Sequence, residues 1–417
     1  MTPKQTSATG TFQSLGIAPK FLAILDAAGF VNPTPIQHQA IPPGLEGKDI
    51  VGIAQTGTGK TLAFGIPLIQ RLSLVQGQAL ILLPTRELAL QVDETFQKIG
   101  AGIGLRTAVI IGGAAMGHQI NSLRRAPHVI IATPGRLADL IKQGLCKLHQ
   151  VKIVVLDEAD RMFDIGFAPQ IKQILKLITL ERQTMLFSAT MPAPIAAMAA
   201  EFMRLPLRIE VAPSGTSAEK VEQELFIVSK ETKLPLLKKI LSDTAGTVLV
   251  FSRTKFGAKR ITAALCASGH NAAEIHSNRS LAQRRQALDG FKSGRFRILV
   301  ATDIAARGID VTGIELVVNY DLPDNSEDYV HRIGRTGRAG LMGKAISLVT
   351  PDQRGDVTSI ERLIRKTIPI TTLPTDLPAA PMIIQPQTRA VPRHQARGFG
   401  QRRGHRSGGA ARGRGRW

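Results

Sequence analysis

Short apolar runs rich in β-branched residues alternate with helix-like segments along most of this 417-residue chain. The runs form two series, at 50–53, 79–83, 129–132, 153–156 and 185–187, and then at 248–251, 298–301, 316–318 and 345–348. Continuous apolar runs of this length are typical of parallel strands that are buried on both faces. Their alternation with helices predicts parallel sheets covered by helices, so the expected fold class is α/β.

The alternation pauses between about residues 206 and 219, where the sequence is small, polar and interrupted by proline and glycine. That composition favours a linker. We therefore expect a first domain over 1–208, a linker over 209–219 and a second domain over 220–368. Residues 389–417 contain nine arginines, no lysine and no acid, and cannot bury enough apolar surface to fold alone. Residues 369–417 are therefore expected to form a disordered basic tail.

The charge balance indicates a polyanionic partner. Lysine and arginine number 53 against 32 aspartates and glutamates, which gives a formal net charge of +21. Nucleic acid is the simplest partner for such a chain, and solubility or an acidic membrane surface is the alternative explanation.

The two cysteines and the N-terminal sequence bear on location. Cys146 and Cys266 lie far apart and lack metal-ligand spacing, so a disulfide framework is not expected and a reducing compartment is favoured. The first ten residues are polar, and no apolar run is long enough to span a bilayer. We therefore expect a cytoplasmic protein without a membrane partner.

A glycine-rich loop follows the first apolar run, where residues 54–61 are AQTGTGKT. Lys60 would bring positive charge to the β and γ phosphates of a nucleotide, and Thr61 would offer a hydroxyl to Mg²⁺. Backbone N–H groups of the loop would cradle phosphate oxygens. The loop residues expected to bind nucleotide in this way are Thr56, Gly57, Thr58 and Gly59. The generic pattern begins with glycine, where this chain has Ala54.

Acidic residues follow the apolar run 153–156 directly, as Asp157, Glu158 and, two positions on, Asp160. The end of a central strand is a poor place for unpaired charge, so acids there usually meet a cation or a catalytic water. Asp157 is expected to hold Mg²⁺, and Glu158 to position or deprotonate the water that attacks the γ phosphate. A helix N-cap is the alternative, but it explains one carboxylate more easily than three.

From about residue 12 to about residue 347, the chain resembles the DEAD-box family of ATP-dependent RNA helicases in superfamily 2. Its motifs occur in the same order as in that family. The short form with a basic tail is most similar to the bacterial RhlE-type subgroup. The resemblance implies two RecA-like parallel-sheet domains in tandem, with ATP and Mg²⁺ as cofactors. It also implies that Gln37 hydrogen bonds to adenine, that Phe12 packs near the base and that Asp310 faces the ribose hydroxyls.

The resemblance further implies RNA contacts from both domains, mostly at residues that follow an apolar run. A hydroxyl or an arginine at a helix N-terminus is a reasonable phosphate site, although each motif alone is an ordinary capping signal. The residues expected to bind RNA are Pro84, Thr85, Arg86, Gly113, Thr133 and Arg136 in the first domain, and Arg253 and Thr302 in the second.

Two further motifs are expected to couple hydrolysis to domain closure. The first is Ser188-Ala189-Thr190, which is expected to hydrogen bond to Asp160. The second, HRIGRTGR over 331–338, contributes His331 to the coupling.

The same second motif is expected to complete the catalytic set, which otherwise comprises Lys60, Asp157 and Glu158. Arg335 and Arg338 match the family's arginine fingers, and we expect them at a helix start with adjacent guanidinium groups. A solvated basic helix face is the alternative.

One departure from the family pattern is visible before the apolar run 298–301. The family commonly has Gln-x-x-Arg there, and this chain has Leu281 and Arg284 at those two positions. The contacts that the glutamine would make are therefore not expected here.

The sequence predicts an ATP-dependent RNA helicase that unwinds or remodels short RNA duplexes and RNA–protein complexes. Single strands and short duplexes of RNA are its expected substrates, in ribosomal precursors or RNA-decay assemblies. An ATP-gated RNA clamp or assembly scaffold is an alternative that the same motifs support. A translocating DNA helicase is a weaker alternative, which ATPase stimulation by RNA but not by DNA would exclude.

Overall fold

Two parallel β-sheets, each covered by helices, form the folded part of the chain. The structure is a computed structural model that describes residues 10–55, 57–211, 221–306, 311, 313–337, 342–375 and 377. Of the sequence predictions, most of the linker and the tail from residue 378 onward lie outside these residues. So do three predicted site residues, Thr56, Asp310 and Arg338.

The first sheet contains seven strands in the order β3-β4-β2-β5-β6-β1-β7. They are β1 (Ile50–Ile53), β2 (Gln78–Leu82), β3 (Thr107–Ile110), β4 (Val129–Ala132), β5 (Val151–Asp157), β6 (Gln183–Ser188) and β7 (Leu207–Glu210). The second sheet contains six strands in the order β10-β11-β9-β12-β13-β8. They are β8 (Val221–Ile227), β9 (Val248–Phe251), β10 (Ala272–Ile275), β11 (Ile298–Ala301), β12 (Leu316–Asn319) and β13 (Gly343–Val349).

Every pair of neighbouring strands in the described residues is parallel, so helices provide the crossovers. The helices of the first domain, of which α1 and α2 precede the first strand, are α1 (Pro19–Ala27), α2 (Pro35–Leu45), α3 (Lys60–Leu72), α4 (Arg86–Gly100), α5 (Met116–Arg124), α6 (Pro134–Lys142), α7 (Ala159–Asp164), α8 (Ala168–Lys176) and α9 (Ala193–Phe202). In the second they are α10 (Lys233–Asp243), α11 (Lys255–Cys266), α12 (Leu281–Lys292), α13 (Asp303–Ala306), α14 (Ser326–Ile333) and α15 (Arg354–Ile364).

The central strands each carry a continuous apolar run because both faces of each sheet are buried. In β5, Ile153 and Val155 belong to one apolar cluster, whereas Val154 and Leu156 belong to the cluster on the opposite face. Each of these side chains is at most 1% exposed, and burying one stabilises the fold by about 1.5–3 kcal/mol. The period-2 geometry of a strand thus distributes one continuous apolar run between two cores.

The α/β fold class is confirmed, but the apolar runs did not identify four of the strands. These four, β3, β7, β8 and β10, are the edge strands of the two sheets. An edge strand has one sheet neighbour, so it needs less apolar surface: in β7, three of four residues are exposed, and β8 contains three consecutive polar residues, Glu222, Gln223 and Glu224. Strand β7 also extends the first sheet to Glu210, beyond residue 208.

Parallel pairing brings the carboxyl ends of all strands in a sheet to the same edge, where ligands of such sheets usually bind. In the first sheet the loop at 54–59 follows β1, and the acidic residues follow β5, with β6 between the two strands. Among the described residues, no helix has the length and apolar character needed to cross a bilayer.

Candidate functional site

The phosphate loop connects β1 to α3 through two residues with positive φ. Gly57 has φ 87° and Gly59 has φ 88°, a region that glycine enters without a steric penalty. Gly59 is the N-cap of α3 and provides no side-chain acceptor to its first N–H groups. An uncapped helix N-terminus behind a glycine-rich loop can accept an anion such as a phosphate.

Lys60 begins α3, and its side chain turns back over the loop. The ammonium donates to the Ala54 carbonyl at 2.9 Å, and the residue is only 6% exposed. The Thr58 hydroxyl donates to the Gln55 carbonyl at 2.7 Å. Thr61 is the second residue of α3, on the helix turn that follows the loop. The loop is therefore ordered by its own side chains, with the lysine charge held inside it.

Gln37 connects the start of α2 to this loop. Its side-chain Oε1 accepts the Thr34 N–H at 2.9 Å, and its Nε2 donates to the Gly59 carbonyl at 3.0 Å. A Cβ at position 59 would lie 2.3 Å from Nε2, so only glycine fits there. The Gln37 amide thus makes two bonds within the chain, and its adenine contact stays a prediction.

Phe12, the other predicted adenine-side residue, begins a 3₁₀ helix over Phe12–Leu15. Its ring is 4% exposed and belongs to the apolar cluster of the first domain, together with Leu15 and Ile36. This burial places Phe12 in the core adjoining α2, and its packing against a base also stays a prediction.

Asp157 ends β5 as a buried carboxylate. It is 3% exposed, and its Oδ1 accepts the Glu158 N–H at 2.9 Å. Burial raises the pKa of Asp157 to about 7, against the opposing effect of the nearby Lys60. A carboxyl group that is desolvated to this degree can bind a cation, and the positive charge of that cation would favour its ionised form.

The donor set at this position fits Mg²⁺ better than a metal enclosed by protein. Among the described residues, no group of three or more His, Cys, Asp or Glu side chains could hold an ion alone. Mg²⁺ in nucleotide sites is typically bound by one or two protein groups together with phosphates and water. Asp157 and Thr61 match that requirement in residue type and in location beside the loop.

Glu158 occupies a strained backbone position beside Asp157. Its φ and ψ are 54° and 51°, the left-handed region, at the N-cap of α7. This conformation costs a non-glycine residue about 1–2 kcal/mol. Its carboxylate forms an ion pair with Arg161 at 2.8 Å, with both side chains at most 4% exposed. Arg161 was not among the predicted site residues, although its i,i+3 spacing from Glu158 is a signal for such a pair.

Asp160 is bound by the segment that follows β6. The Asp160 N–H donates to the Ser188 hydroxyl at 3.1 Å, and its Oδ2 accepts the Thr190 N–H at 2.9 Å and the Thr190 hydroxyl at 3.2 Å. Burial acts to raise the pKa of Asp160, but Lys60, the Thr190 N–H and Arg161 together hold it below its usual value. The expected hydrogen bonds are thus present, and the coupling role of these residues stays a prediction.

Three of the residues expected to bind RNA in the first domain converge on residues 112–114. The Arg86 guanidinium packs against Gly113, where a Cβ would lie 2.1 Å from its Nη1. The Arg136 guanidinium donates to the Ala114 carbonyl at 3.3 Å. Gly113 has φ 75°, which favours glycine at this position. Two guanidinium groups thus flank one exposed turn.

The remaining first-domain residues of this set lie at helix starts. Thr85 is the N-cap of α4, and its hydroxyl accepts the Leu88 N–H at 3.3 Å. Thr133 is the N-cap of α6 without a side-chain cap bond. Pro84 is buried just before Thr85. Thr85 therefore caps its helix through its side chain, whereas the Thr133 hydroxyl makes no such capping bond.

Arg253 and Thr302 follow β9 and β11, which are neighbours in the second sheet. The Arg253 N–H donates to Asp321 at 3.1 Å, and its exposed guanidinium donates to the Leu322 carbonyl at 3.2 Å. The guanidinium also lies 3.3 Å from the Asp324 carboxylate. Thr302 is partly exposed at the sheet edge. Arg253 can therefore reach a phosphate if it leaves an exposed acidic neighbour.

The prediction that Arg335 lies at a helix start is wrong. Helix α14 contains His331 in its last turn and ends at Ile333, with Gly334 as the C-cap. Arg335 follows this end, where its Nε donates to the His331 carbonyl at 3.2 Å. The residue is 3% exposed. Basic residues stabilise a helix C-terminus, and here they lie in the last turn of α14 and just after it.

The two domains meet at two places close to these residues. A buried ion pair joins Glu87 of α4 to Arg284 of α12 at 2.7 Å. Beside it, Leu281 packs against the apolar cluster of the first domain. A small cavity at the second place is lined by Arg161 of the first domain and by second-domain residues, among them His331 and Arg335. The interface thus lies against both Glu158 and the segment that follows α14.

Two family profiles match the chain. Residues 34–198 match "DEAD/DEAH box helicase" and residues 232–340 match "Helicase conserved C-terminal domain". Among curated proteins, the chain is 44% identical to the DEAD-box ATP-dependent RNA helicase CshA of Geobacillus kaustophilus, over 85% of this chain and 77% of that protein. It is 43% identical to the ATP-dependent rRNA helicase RRP3 of Candida albicans, over 86% and 68% respectively.

Solved structures show the same fold. Dbp5 of S. cerevisiae bound to RNA and ADP BeF3 matches with a TM-score of 0.78 and 32% identity, over 88% of this chain and 96% of that one. Mss116p bound to ssRNA and AMP-PNP matches with a TM-score of 0.81 and 27% identity, over 90% and 82%. Both sheets of this chain are therefore arranged in tandem as in those proteins.

Proposed function

Because the chain belongs to the DEAD-box family of helicases, we propose that it is an RNA-stimulated ATPase that unwinds and remodels short RNA duplexes. ATP is its energy source and RNA its partner. The observation that carries this function is the convergence of Lys60, Asp157 and Glu158 at one sheet edge, beside the cavity that Arg161 and the second-domain Arg335 line together. Each residue role below is part of the proposal.

In the proposed mechanism the loop at 54–61 and the start of α3 bind the phosphates of ATP. Lys60 gives up the Ala54 carbonyl and neutralises the β and γ phosphates. Mg²⁺, when held by Asp157 and Thr61, would supply further charge neutralisation there. Glu158 orients the attacking water and accepts its proton, and Arg335 stabilises the charge that develops on the transferred group.

In the proposed mechanism, hydrolysis is coupled to RNA binding because both domains contact the same RNA strand. Arg86 and Arg136 bind the RNA backbone from the first domain, and Arg253 binds it from the second. RNA and ATP together hold the domains closed, and the closed arrangement bends one strand out of a duplex. Asp160, with its bonds to Ser188 and Thr190, transmits loss of the γ phosphate to the interface, and opening releases the strand.

A substitution in the phosphate loop tests this function. Lys60→Ala removes the charge inside the loop, so we expect weaker ATP binding and loss of RNA-stimulated ATPase and of strand displacement. Lys172→Ala is the control, because Lys172 forms an exposed surface pair with Glu201 and such pairs contribute little. Near-normal RNA-stimulated ATPase in the Lys60 variant would contradict the site.

An ATP-gated RNA clamp is the second candidate, because the same site could serve to retain RNA rather than to displace a strand. Multiple-turnover displacement of a short duplex at saturating ATP distinguishes the two. Helicase function predicts many duplexes separated per protein. A clamp predicts ATP-dependent retention of one RNA with displacement no faster than spontaneous dissociation.

We also propose the RhlE-type subgroup, a cytoplasmic location and ribosomal precursors or RNA-decay assemblies as targets. The arginine-rich residues 389–417 support the subgroup. The curated bacterial relative named above is a CshA protein, so complementation of bacterial strains that lack either helicase type would decide between the two. The cysteine content favours a reducing compartment. Crosslinking and sequencing of bound RNA would identify the targets.

A further inference from the structure

We propose that Arg161 is a positioning residue that fixes the carboxylate of Glu158 and links it to the second domain. The inference rests on the proposed function, because it assumes that Glu158 acts on the attacking water. Arg161 has no role in any of the motifs from which that function was derived.

The geometry around Glu158 shows why it needs a second residue to hold it. Its backbone is left-handed, which directs the side chain away from an ordinary helix-cap position. The 2.8 Å ion pair with Arg161 fixes Oε2 of the carboxylate. The backbone N–H of Arg161 donates to Oδ1 of Asp160 at 3.0 Å, which fixes the Arg161 backbone beside Asp160. Arg161 therefore determines where the Glu158 carboxylate lies relative to Asp157 and Asp160.

The Arg161 guanidinium also borders the other domain. Arg161 is 2% exposed, and its Nη2 is buried without a hydrogen-bond partner. The side chain lines a cavity whose other walls belong to the second domain, namely Phe251, Asp303, Asp328, His331, Arg332 and Arg335. A buried donor without a partner is costly and usually signals a functional requirement. This cavity forms only where the second domain packs against Arg161. Closure of the two domains therefore acts on Arg161, and through its ion pair on Glu158.

A purely structural ion pair is the competing explanation. Removing one member of such a pair leaves an uncompensated buried charge and destabilises the protein. If the pair were purely structural, its loss would lower the fraction of folded protein, but the kcat of the folded molecules would not change. A positioning role predicts a separate loss in kcat, with ATP and RNA still bound.

The experiment compares full-length Arg161→Met and Arg161→Lys with wild type. For Arg161→Met we expect kcat to fall by roughly 10²-fold, the lower end of what a positioned general base contributes. The KM for ATP should change little, and the complex with ATP and RNA should be long-lived. Arg161→Lys keeps a cation near Glu158 and should recover part of kcat. Retention of RNA with ADP–BeF₃ should match wild type in both variants.

Arg182→Met is the matched control. Arg182 is a part-buried arginine that donates to the Leu175, Ile178, Thr179 and Phe202 carbonyls, and the charged groups that act on it are Asp49 and Arg204. Its loss should lower the melting temperature while kcat and RNA retention stay at wild-type values. If Arg161→Met behaves in the same way, the proposal is overturned. If Arg161→Met does not fold, wild-type kcat in Arg161→Lys and Arg161→Gln would overturn it equally.

A double-mutant cycle with Glu158→Gln completes the test. If Arg161 acts through Glu158, adding Arg161→Met to Glu158→Gln should change the lifetime of the ATP–RNA complex no further. Independent, additive effects would contradict the proposal. Absence of RNA-stimulated ATPase in the wild-type protein would instead refute the proposed function, so the two failures are distinguishable.

Discussion

Several side chains of the proposed nucleotide site hold the local structure together, in addition to the chemical roles proposed for them. Gln37 holds the start of α2 to the phosphate loop, and Lys60 orders that loop through the Ala54 carbonyl. Glu158 combines a left-handed backbone with a buried ion pair. Because strain and burial of this kind are costly, they persist where the surrounding structure enforces them, and they concentrate at functional sites.

Glu158→Gln tests the base at the residue scale. The amide keeps the shape of the side chain but cannot accept the proton of the attacking water, so hydrolysis should fall by roughly 10²–10⁴-fold. Asp157 is untouched, so ATP and RNA should stay bound together. The lifetime of the RNA complex in ATP is the measurement, and rapid RNA release at the wild-type rate would argue against this role.

Gln37→Ala should affect both the adenine preference and the loop. Two part-buried hydrogen bonds are lost, at about 0.5–1.5 kcal/mol each, and the predicted adenine contact is lost with them. We expect a higher KM for ATP and weaker discrimination between ATP and GTP, with Gln97→Ala as the control because Gln97 bonds to Thr107 at the surface. A higher KM with unaltered discrimination would assign Gln37 to the loop alone.

At the scale of elements, α4 and α12 meet through the Glu87–Arg284 pair, and Leu281 packs beside it in place of the family's glutamine. Both charged side chains are at most 9% exposed. In separated domains each would be solvated. The pair therefore forms only when the domains are together, and it links α4, which begins with Arg86, to the second domain.

Glu87→Ala should weaken the closed arrangement and leave the separate domains folded. It leaves Arg284 buried and unpaired, which costs on the order of 3–5 kcal/mol for a fully buried pair. RNA affinity should fall with an ATP analogue bound but not without nucleotide. Arg285→Ala is the matched control, since Arg285 faces Glu94 at 3.7 Å with both side chains exposed. Equal losses with and without nucleotide would contradict an interface role.

At the scale of the whole molecule, the proposed ATP site is complete only when both domains contribute. Arg335 lies in the second domain, after α14, and lines the cavity that Arg161 closes from the first. Arginine fingers in phosphoryl transfer contribute roughly 10³–10⁵ in rate. Arg335→Ala should therefore reduce ATPase on that scale at saturating ATP and RNA, with a melting curve to verify folding. Unchanged ATPase activity would refute a site shared by two domains.

The arginine-rich residues 389–417 belong to the same scale, because they supply nine of the 21 net positive charges. The slope of log affinity against log salt is about −0.7 per phosphate neutralised on a single strand, so engagement of half the arginines would contribute about −3. Truncation before Arg389 should leave RNA-saturated ATPase near normal. It should raise the RNA concentration needed for stimulation and make the salt dependence shallower. Parallel salt slopes for the two proteins would show that these residues serve another purpose.

The sequence by itself determined the fold class, the central strands and the residues at their carboxyl ends. Central strands are apolar on both faces, so runs such as 153–156 are visible without any partner, and Asp157 and Glu158 follow as a local consequence. Because parallel strands end at one edge, the neighbourhood of Lys60, Asp157 and Ser188 was predictable too.

Only the tertiary structure decided the rest, because it depends on neighbours that are distant in sequence. The edge strands β3, β7, β8 and β10 have one sheet partner, so their sequences need not be continuously apolar. The position of Arg335 after α14 depends on where that helix ends, and periodic charge does not mark that point. Arg161 and the Glu87–Arg284 pair could not be identified from the sequence, because they lie where the two domains pack together. A buried charge is costly without a partner, so each of these side chains pairs with an opposite charge.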